Sequence, residues 1–393
     1  MIQYQLLSAL LHFIFFFMGA AIGSFLNVVI YRLPLGISVN NPRRSFCPNC
    51  KYHIPFYQNI PIVSWLLLRG KCAGCGKPIS PRYLGVEILV GVLFYAVFWH
   101  YSNGGDFRTA AVWGPQVLCL WIFVSLLVAG TFIDIEHFIL PHEITIGGTV
   151  AGMLCATAVP QLVGETTHLR GLMLSFGSAA LGLGGLWLVV ELGKLAFGRK
   201  RYAFEKPEIW SVTQPDDEKP PVLKMQDENY DWPDLFMRAS DRLIITCQEL
   251  RVNDQSWKDV TAELWMAKLK VAGADGKAEE FDLEKVTTLN GLTNKVVIPR
   301  EAMGFGDVLF LMMIGAFVGW QAVLFTILAA SVLGTLFAGL WRLIGRSEWG
   351  AKIPFGPYLA TGAMLWIFVG EQTVNWYWMK ATGNRLTAQV SAK

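Results

Sequence analysis

Residues 300–310 read REAMGFGDVLF, which sets Asp307 behind Gly304 and Gly306 at the head of a long apolar run. From Val308 to Trp341 no other residue is charged. A carboxylate at the mouth of a membrane-length segment is costly to keep, so its default reading is a functional group. The run it opens also decides the fold, because a chain carrying such segments is built for a bilayer.

Composition agrees. Of 393 residues 53% are hydrophobic and only 16% charged, which is too apolar for an ordinary soluble protein. Charge is unevenly spread: 19 of the 30 Asp and Glu fall in residues 198–300, so a polar domain is set into a membrane body. Windows of roughly 20 apolar residues, enough to cross a bilayer, occur near 6–31, 84–101, 111–133, 143–163, 171–197 and 356–378. The stretch 308–341 is longer than one span needs, and Gly319-Trp320 in its middle suits a turn at an interface. The expectation is a mostly α, polytopic membrane protein of about eight helices.

The first span reads as a membrane helix rather than a cleaved signal peptide, because its apolar core is too long and no Lys or Arg precedes it. Residues 32–82 then hold eight Lys and Arg and no acid. The positive-inside rule makes that loop cytoplasmic and places the N-terminus outside. Alternation puts 134–142 and 198–300 inside as well. A double crossing by 308–341 also keeps Arg342, Arg346 and Lys352 inside.

Within the basic loop, Cys47-Pro-Asn-Cys50 and Cys72-Ala-Gly-Cys75 form two C-x2-C pairs with 21 residues between them. Two-residue spacing lets both thiolates of a pair face one tetrahedral ion, so the first reading is a structural zinc site. Two disulfides are the plain alternative, disfavoured in a reducing compartment. A redox dithiol is a third, weakened because there are two pairs and no βαβ pattern. Cys119, Cys155 and Cys247 read as packing residues.

A second carboxylate lies where the third span ends. In DIEHFILPHE (134–143) five ionisable side chains fall in ten residues. Pro141 breaks the helix and turns the chain back into the fourth span. Asp134 closes the third span on the cytoplasmic side and Asp307 opens the sixth on the same side, so the two can meet at one membrane depth. Facing aspartates share a proton and titrate as a unit, the state an aspartic protease uses. Gly304 and Gly306 leave room for an extended substrate backbone. The bland reading, helix capping, suits Asp307 at an N-terminus but not Asp134 at a C-terminal end. A metalloprotease H-E-x-x-H is excluded, because the second His would fall on Ile146.

GSFLNVVIYRLP (23–34), the two CxxC pairs, NIPIVSWLLLRGKC (59–72), PRYLGVE (81–87), IDIEHFILP (133–141), EAMGFGD (301–307) and IPFGPYLA (353–360) together resemble bacterial type IV prepilin leader peptidases. These are integral-membrane aspartic proteases of the GxGD type. The resemblance covers about 290 residues in colinear order and leaves out 198–300. It implies removal of the short basic leader of prepilins or pseudopilins just after a glycine, at the cytoplasmic face of the bacterial inner membrane. It also implies, where methylation is retained, transfer of a methyl group from S-adenosylmethionine to the new N-terminus. The family's catalytic aspartates fall on Asp134 and Asp307. Its metal-binding tetrad, linked to the methyltransferase-associated cytoplasmic domain, falls on Cys47, Cys50, Cys72 and Cys75. The chain departs from the pattern at Glu136, at His142 after the LP motif, and at Leu309, where a Lys is usual.

The domain plan is a first transmembrane helix (1–33), a four-cysteine, zinc-type loop domain (34–82) and helices two to five with the first Asp (83–197). An inserted cytoplasmic domain (198–300), helices six to eight with the GxGD motif (301–378) and a tail (379–393) complete it. The first third of the insert, with PDDEKPP (215–221), reads as a linker. Leu243–Val252, Leu264–Val271, Phe281–Thr288 and Lys295–Ile298 read as strands of a small β-rich domain. Its 16 Lys and Arg against 19 Asp and Glu give no nucleic-acid footprint. A docking or regulatory module and an inert insertion both stay open. Two rival functions remain: a transporter with ion-carrying carboxylates, and a degenerate scaffold for pilin assembly. The first predicts acids in mid-helix, the second loss of one aspartate.

Overall fold

The computed structural model describes residues 2–42, 45–102, 109–197, 199–214, 220–225, 228–236, 241–273, 278–299, 304–344 and 354–382. The chain divides into two compact units, Met1–Trp187 with Gly304–Lys393, and Leu188–Met303. In chain order the helices are α1 (Ile2–Arg32), α2 (Val63–Leu67), α3 (Pro81–Tyr101), α4 (Ala110–His137), α5 (His142–Ala158) and α6 (His168–Phe197). There follow α7 (Trp232–Leu235), α8 (Phe305–Leu343), α9 (Gly356–Leu365) and α10 (Glu371–Thr382).

Among the described residues five of these, α1, α3, α4, α6 and α8, are long and apolar enough to cross a membrane. The helix α5 has 17 residues, and a π-helical stretch, Trp366–Gly370, joins α9 to α10. The long helix α8 is continuous only by hydrogen bonding. At Gly319 the backbone takes φ 84° and ψ 175°, a conformation essentially reserved for glycine, which breaks the helix where the Gly-Trp pair predicts a turn. Trp320 beside it is exposed, as an interfacial indole should be.

Helix pairing rests on small residues. Gly19 and Gly23, four apart on α1, press against α3: a β-carbon at Gly19 would lie 2.7 Å from Phe94 Cβ, and one at Gly23 would lie 2.9 Å from Glu87 Cα. Without a hydrophobic force between helices in lipid, such backbone approach is what van der Waals attraction can use. The same contact sets Glu87 against α1 one turn from Asn27. Ser175 on α6 donates to Ala316 O on α8 at 2.7 Å, where both are buried.

The second unit carries one eight-stranded sheet: β1 (Arg199–Thr213), β2 (Val222–Met225), β3 (Glu228–Asp231), β4 (Leu243–Val252), β5 (Gln255–Leu264), β6 (Lys268–Ala272), β7 (Ala278–Asp282) and β8 (Leu289–Pro299). Their order is β3-β2-β1-β8-β4-β5-β6-β7, every pairing antiparallel. Alternation sets the inner face, with Leu243, Ile245, Cys247, Leu250 and Val252 of β4 all buried. Trp232 Nε1 in α7 donates to Met266 O at the β5–β6 turn, at 3.0 Å, although four strands separate β3 from β5 in the sheet. The sheet is therefore curled around a single core that includes Trp210, Trp232 and Phe236.

Three strand readings need correction. Arg199–Thr213, read as part of a linker, is the longest strand and pairs with β8 from Arg199↔Pro299 to Val212↔Leu289. Its alternation is masked because Glu205, Lys206 and Pro207 fall in an irregularity between Ala203 and Glu208. Residues 215–219 of the PDDEKPP segment lie outside the described residues. The expected strand Leu264–Val271 is split by a hairpin turn, closed by Trp265 N–H on Lys268 O at 2.8 Å. Phe281–Thr288 continues β7 only to Asp282, after which Leu283–Lys285 turns as a 3-10 helix capped by the Asp282 side chain.

Candidate active site and cysteine centre

Asp134 lies in the last turn of α4 and is 6% exposed. Helix α4 ends at Phe138, which takes the left-handed conformation (φ 54°) and returns its N–H to Asp134 O at 2.9 Å. A non-glycine residue held there is strained, which is common beside functional groups. Pro141 then starts α5 in extended geometry. Asp307 is the third residue of α8 and is 8% exposed, its N–H donating to Gly304 O at 3.2 Å.

The two carboxylates, 173 positions apart in the chain (307 less 134), come within direct electrostatic reach of each other. Their oxygens are not equivalent. Asp134 Oδ2 accepts from the backbone N–H of Gly356, the first residue of α9, at 2.9 Å. Asp307 Oδ1 is buried and has no hydrogen-bond partner among the described residues, a costly state unless something else engages it. Three helices, α4, α8 and α9, thus converge on one pair of acids.

The glycines of the motif differ in use. A β-carbon on Gly304 would meet only Asp307 Oδ2, at 3.8 Å, so that side of the acid is open among the described residues. One on Gly306 would lie 3.0 Å from Leu140 Cβ, so Gly306 makes room for the α4–α5 turn. Glu136 pairs with Arg82, at the start of α3, and Arg82 in turn lies over the Tyr83 ring at 4.9 Å. Leu309 is buried in α8, and His142 opens α5. Gly356 and Arg82 stand inside motifs quoted above, yet nothing in their residue types announces a role, because one acts through its N–H and the other through a partner 54 residues away.

The four cysteines Cys47, Cys50, Cys72 and Cys75 come together, their Sγ atoms all within 4.8 Å of one another. The two pairs are built alike. Lys51 N–H returns to Cys47 O, and Gly76 N–H returns to Cys72 O, both at 2.9 Å. Lys51 and Gly76 hold the matching positive φ of 59° and 68°. Cys50 Sγ and Cys72 Sγ are 3.9 Å apart, close to the edge of about 3.8 Å that a tetrahedron with zinc–sulfur bonds of about 2.3 Å requires. Backbone N–H groups, that of Cys50 foremost, draw the Cys47 thiol down to about 7. Against the Tyr52 N–H, desolvation and the neighbouring thiols push that of Cys50 up to about 11. Four crowded sulfurs ionise together only around a cation. The donor set fits a structural Zn²⁺.

Five membrane-length helices, a buried aspartate pair and four clustered cysteines are the parts of a membrane peptidase, and comparison with known proteins agrees. Residues 17–101 match the family model of the bacterial peptidase A24 N-terminal domain, and residues 283–339 that of the type IV leader peptidase family. A prepilin leader peptidase/N-methyltransferase of Dichelobacter nodosus is 34% identical over 47% of this chain and 68% of its own length. A protein of the same name from Aeromonas hydrophila is 28% identical over 92% of both chains. One from Myxococcus xanthus is 39% identical over 45% of this chain, which spans 54% of that protein. No solved structure gives a significant match. The chain belongs to the type IV leader peptidase family.

Proposed function

We propose that this protein is an aspartic endopeptidase that removes the leader of prepilins or pseudopilins at the membrane, and that it also N-methylates the new terminus. The observation that carries the reading is the unpartnered Asp307 Oδ1 beside Asp134, whose own Oδ2 is held by Gly356 N–H. Two carboxylates in this relation hold one proton between them. The ionised member takes a proton from water, the protonated member polarises the scissile carbonyl, and the hydroxide so formed attacks the carbonyl carbon. Gly304 leaves the approach to Asp307 open for an extended substrate backbone.

The basic loop 32–82 faces the cytoplasm in this reading, with the N-terminus outside and the chain crossing the inner membrane about eight times, α8 twice. Cys47, Cys50, Cys72 and Cys75 hold a structural zinc ion, which fixes the loop and takes no part in hydrolysis. S-adenosylmethionine supplies the methyl group. The inserted sheet serves as a docking module for substrate or for a partner that delivers it.

The test is single and double replacement of Asp134 and Asp307 by Asn, with the N-terminus of a co-expressed pseudopilin read by mass spectrometry. Each single variant should lose at least about 10³-fold in cleavage, about as much as the double, because the pair works as one unit. Cleavage at the parental rate by either single variant would overturn the assignment.

A further inference from the structure

Within the basic loop, residues 54–68 carry no charged side chain, although Lys51 precedes them and Arg69 follows. The run ends in the short helix α2, where Val63, Leu66 and Leu67 stand at i, i+3 and i+4 and so share one face. All three are exposed, Leu66 by 57% and Leu67 by 78%. Ser64, Trp65 and Leu68 turn the other way and line a cavity inside the loop. Phe56, a little earlier in the run, is 86% exposed. An apolar face of this kind on so small a loop marks a surface made to be covered.

The depth of the segment says what covers it. Ile62 N–H donates to Glu87 Oε2 at 2.7 Å. Glu87 lies six residues past the start of α3 at Pro81, about 9 Å along the helix. It packs against Gly23 of α1, nine residues and about 14 Å short of that helix's loop end at Arg32. Both positions fall inside the membrane-length helices. Even with the carboxylate reaching back toward the loop by about one helical turn, the chain at Ile62 is level with the first turn of α3. The segment therefore lies beside the helix ends, at the depth of an interfacial helix, and not above them.

Hydrocarbon admits such a segment only where protein answers its backbone groups. Ile60 N–H donates to Ser64 Oγ at 2.9 Å, and that hydroxyl donates to Tyr57 O at 3.2 Å. Pro61 has no N–H to leave bare. Glu87 takes the N–H of Ile62, which is held at φ 64° and ψ −53°, an outlying conformation for a β-branched residue. Charge fits the same partner. Residues 32–82 hold eight Lys and Arg and no acid, and Arg69 and Lys71, directly after α2, are exposed. Such a loop attracts anionic headgroups and repels a second copy of itself.

We infer that residues 54–68 form an interfacial hairpin, with the Val63, Leu66 and Leu67 face set into the acyl chains of the adjoining leaflet and with Arg69 and Lys71 at anionic headgroups. The four-cysteine loop is then fixed to the bilayer surface instead of standing in water. The inference rests on α1 and α3 crossing the membrane and on no part of the catalytic reading.

The test uses the purified full chain in vesicles of phosphatidylcholine and phosphatidylglycerol containing a phospholipid with a diazirine in its acyl chain. After photolysis, mass spectrometry of the digest locates the label; trypsin, cutting at Lys51 and Arg69, releases the segment as one peptide. That peptide should be labelled and the stretch 72–77 should not, while label in α1 and α3 reports insertion of the protein. Replacing both exposed leucines, Leu66→Asn with Leu67→Asn, should cut the label in the segment at least about fivefold and leave α1 and α3 unchanged. Vesicles without phosphatidylglycerol should lower it several-fold, and equal labelling there would strike out the headgroup contacts. Label in α1 and α3 with none in 54–68 would overturn the hairpin. A chemical cross-link from Lys71 to the inserted domain or to a second copy, in protein whose 54–68 takes no label, would give the face to that occupant. Absence of label throughout would overturn the membrane placement of α1 and α3 as well.

Discussion

The backbone N–H of Gly356 donates to Asp134 Oδ2 at 2.9 Å, and a β-carbon at Gly356 would stand 2.6 Å from that same oxygen. One atom of side chain would therefore both crowd the acid and push α9 off its hydrogen bond. We expect Gly356→Ala to lower leader cleavage by about 10²-fold, the scale of a misplacement near 1 Å in a reacting group. Gly304→Ala, whose added carbon meets nothing nearer than 3.8 Å among the described residues, should fold normally and act mainly on substrate affinity. Initial rates over a range of substrate concentrations separate the two. Equal rates for Gly356→Ala and the parent would remove Gly356 from the site.

Arg82 and Glu136 join the start of α3, directly after the cysteine loop, to the last turn of α4, two residues beyond Asp134. The pair is partly exposed, so its coupling should be modest, about 0.5–1 kcal/mol. A cycle of Arg82→Ala, Glu136→Ala and the double variant should show that coupling in the cleavage rate, each single variant falling several-fold. Strict additivity would mean that the ion pair does not hold Asp134 in place.

Zinc should be present at about one ion per chain, since four thiolates share one tetrahedron. Replacing Cys47 or Cys72 by Ser should remove it and loosen 45–80 to proteolysis. Leader cleavage should survive, because hydrolysis needs only the aspartates and water. Elemental analysis of protein purified without chelator measures the first point, and a metal-free result there would refute the site.

Within the inserted unit, Lys200 stands opposite Ile298 and Arg201 opposite Val297 on paired strands, so a short Gly/Ser turn can replace the sheet beyond them. Substituting Tyr202–Asn294 in this way should leave a membrane-inserted, active enzyme. The ratio of its cleavage rates on two different pilin-like substrates should change at least about threefold if the sheet docks substrate. An unchanged ratio marks the insert as inert, and loss of all cleavage with misfolding marks it as structural.

Much of this can be read from residues whose cost is visible in one dimension. A lone charge in an apolar run, two CxxC pairs and a glycine at mid-run each stand out against composition, and each marks a feature the structure contains. The insert is harder. β1 hides behind four residues, Phe204 to Pro207, that bulge out of register, and β5 flows into β6 through a turn without glycine or proline. Least legible are groups that act through the backbone or through an orphaned atom. Gly356 is an ordinary residue type, and only the structure shows that its N–H is committed to Asp134 and that Asp307 Oδ1 is left unanswered among the described residues.

The break at Gly319 leaves 14 residues of α8 on the Asp307 side (305–318), a helix of about 21 Å at 1.5 Å per residue. Its neighbour α5, with 17 residues, reaches about 26 Å. In the proposed eight-span arrangement, where each crosses once, both are shorter than the roughly 30 Å hydrocarbon layer. Lipid beside two such helices must thin or dimple to cover them, and the dimple forms against the very helices that carry the aspartate and its turn. A substrate helix of full hydrophobic length, drifting into that shallow patch, has its end forced out of the oil and into water. In that arrangement hydrophobic mismatch would help to unwind and present a peptide bond before any side chain has touched it.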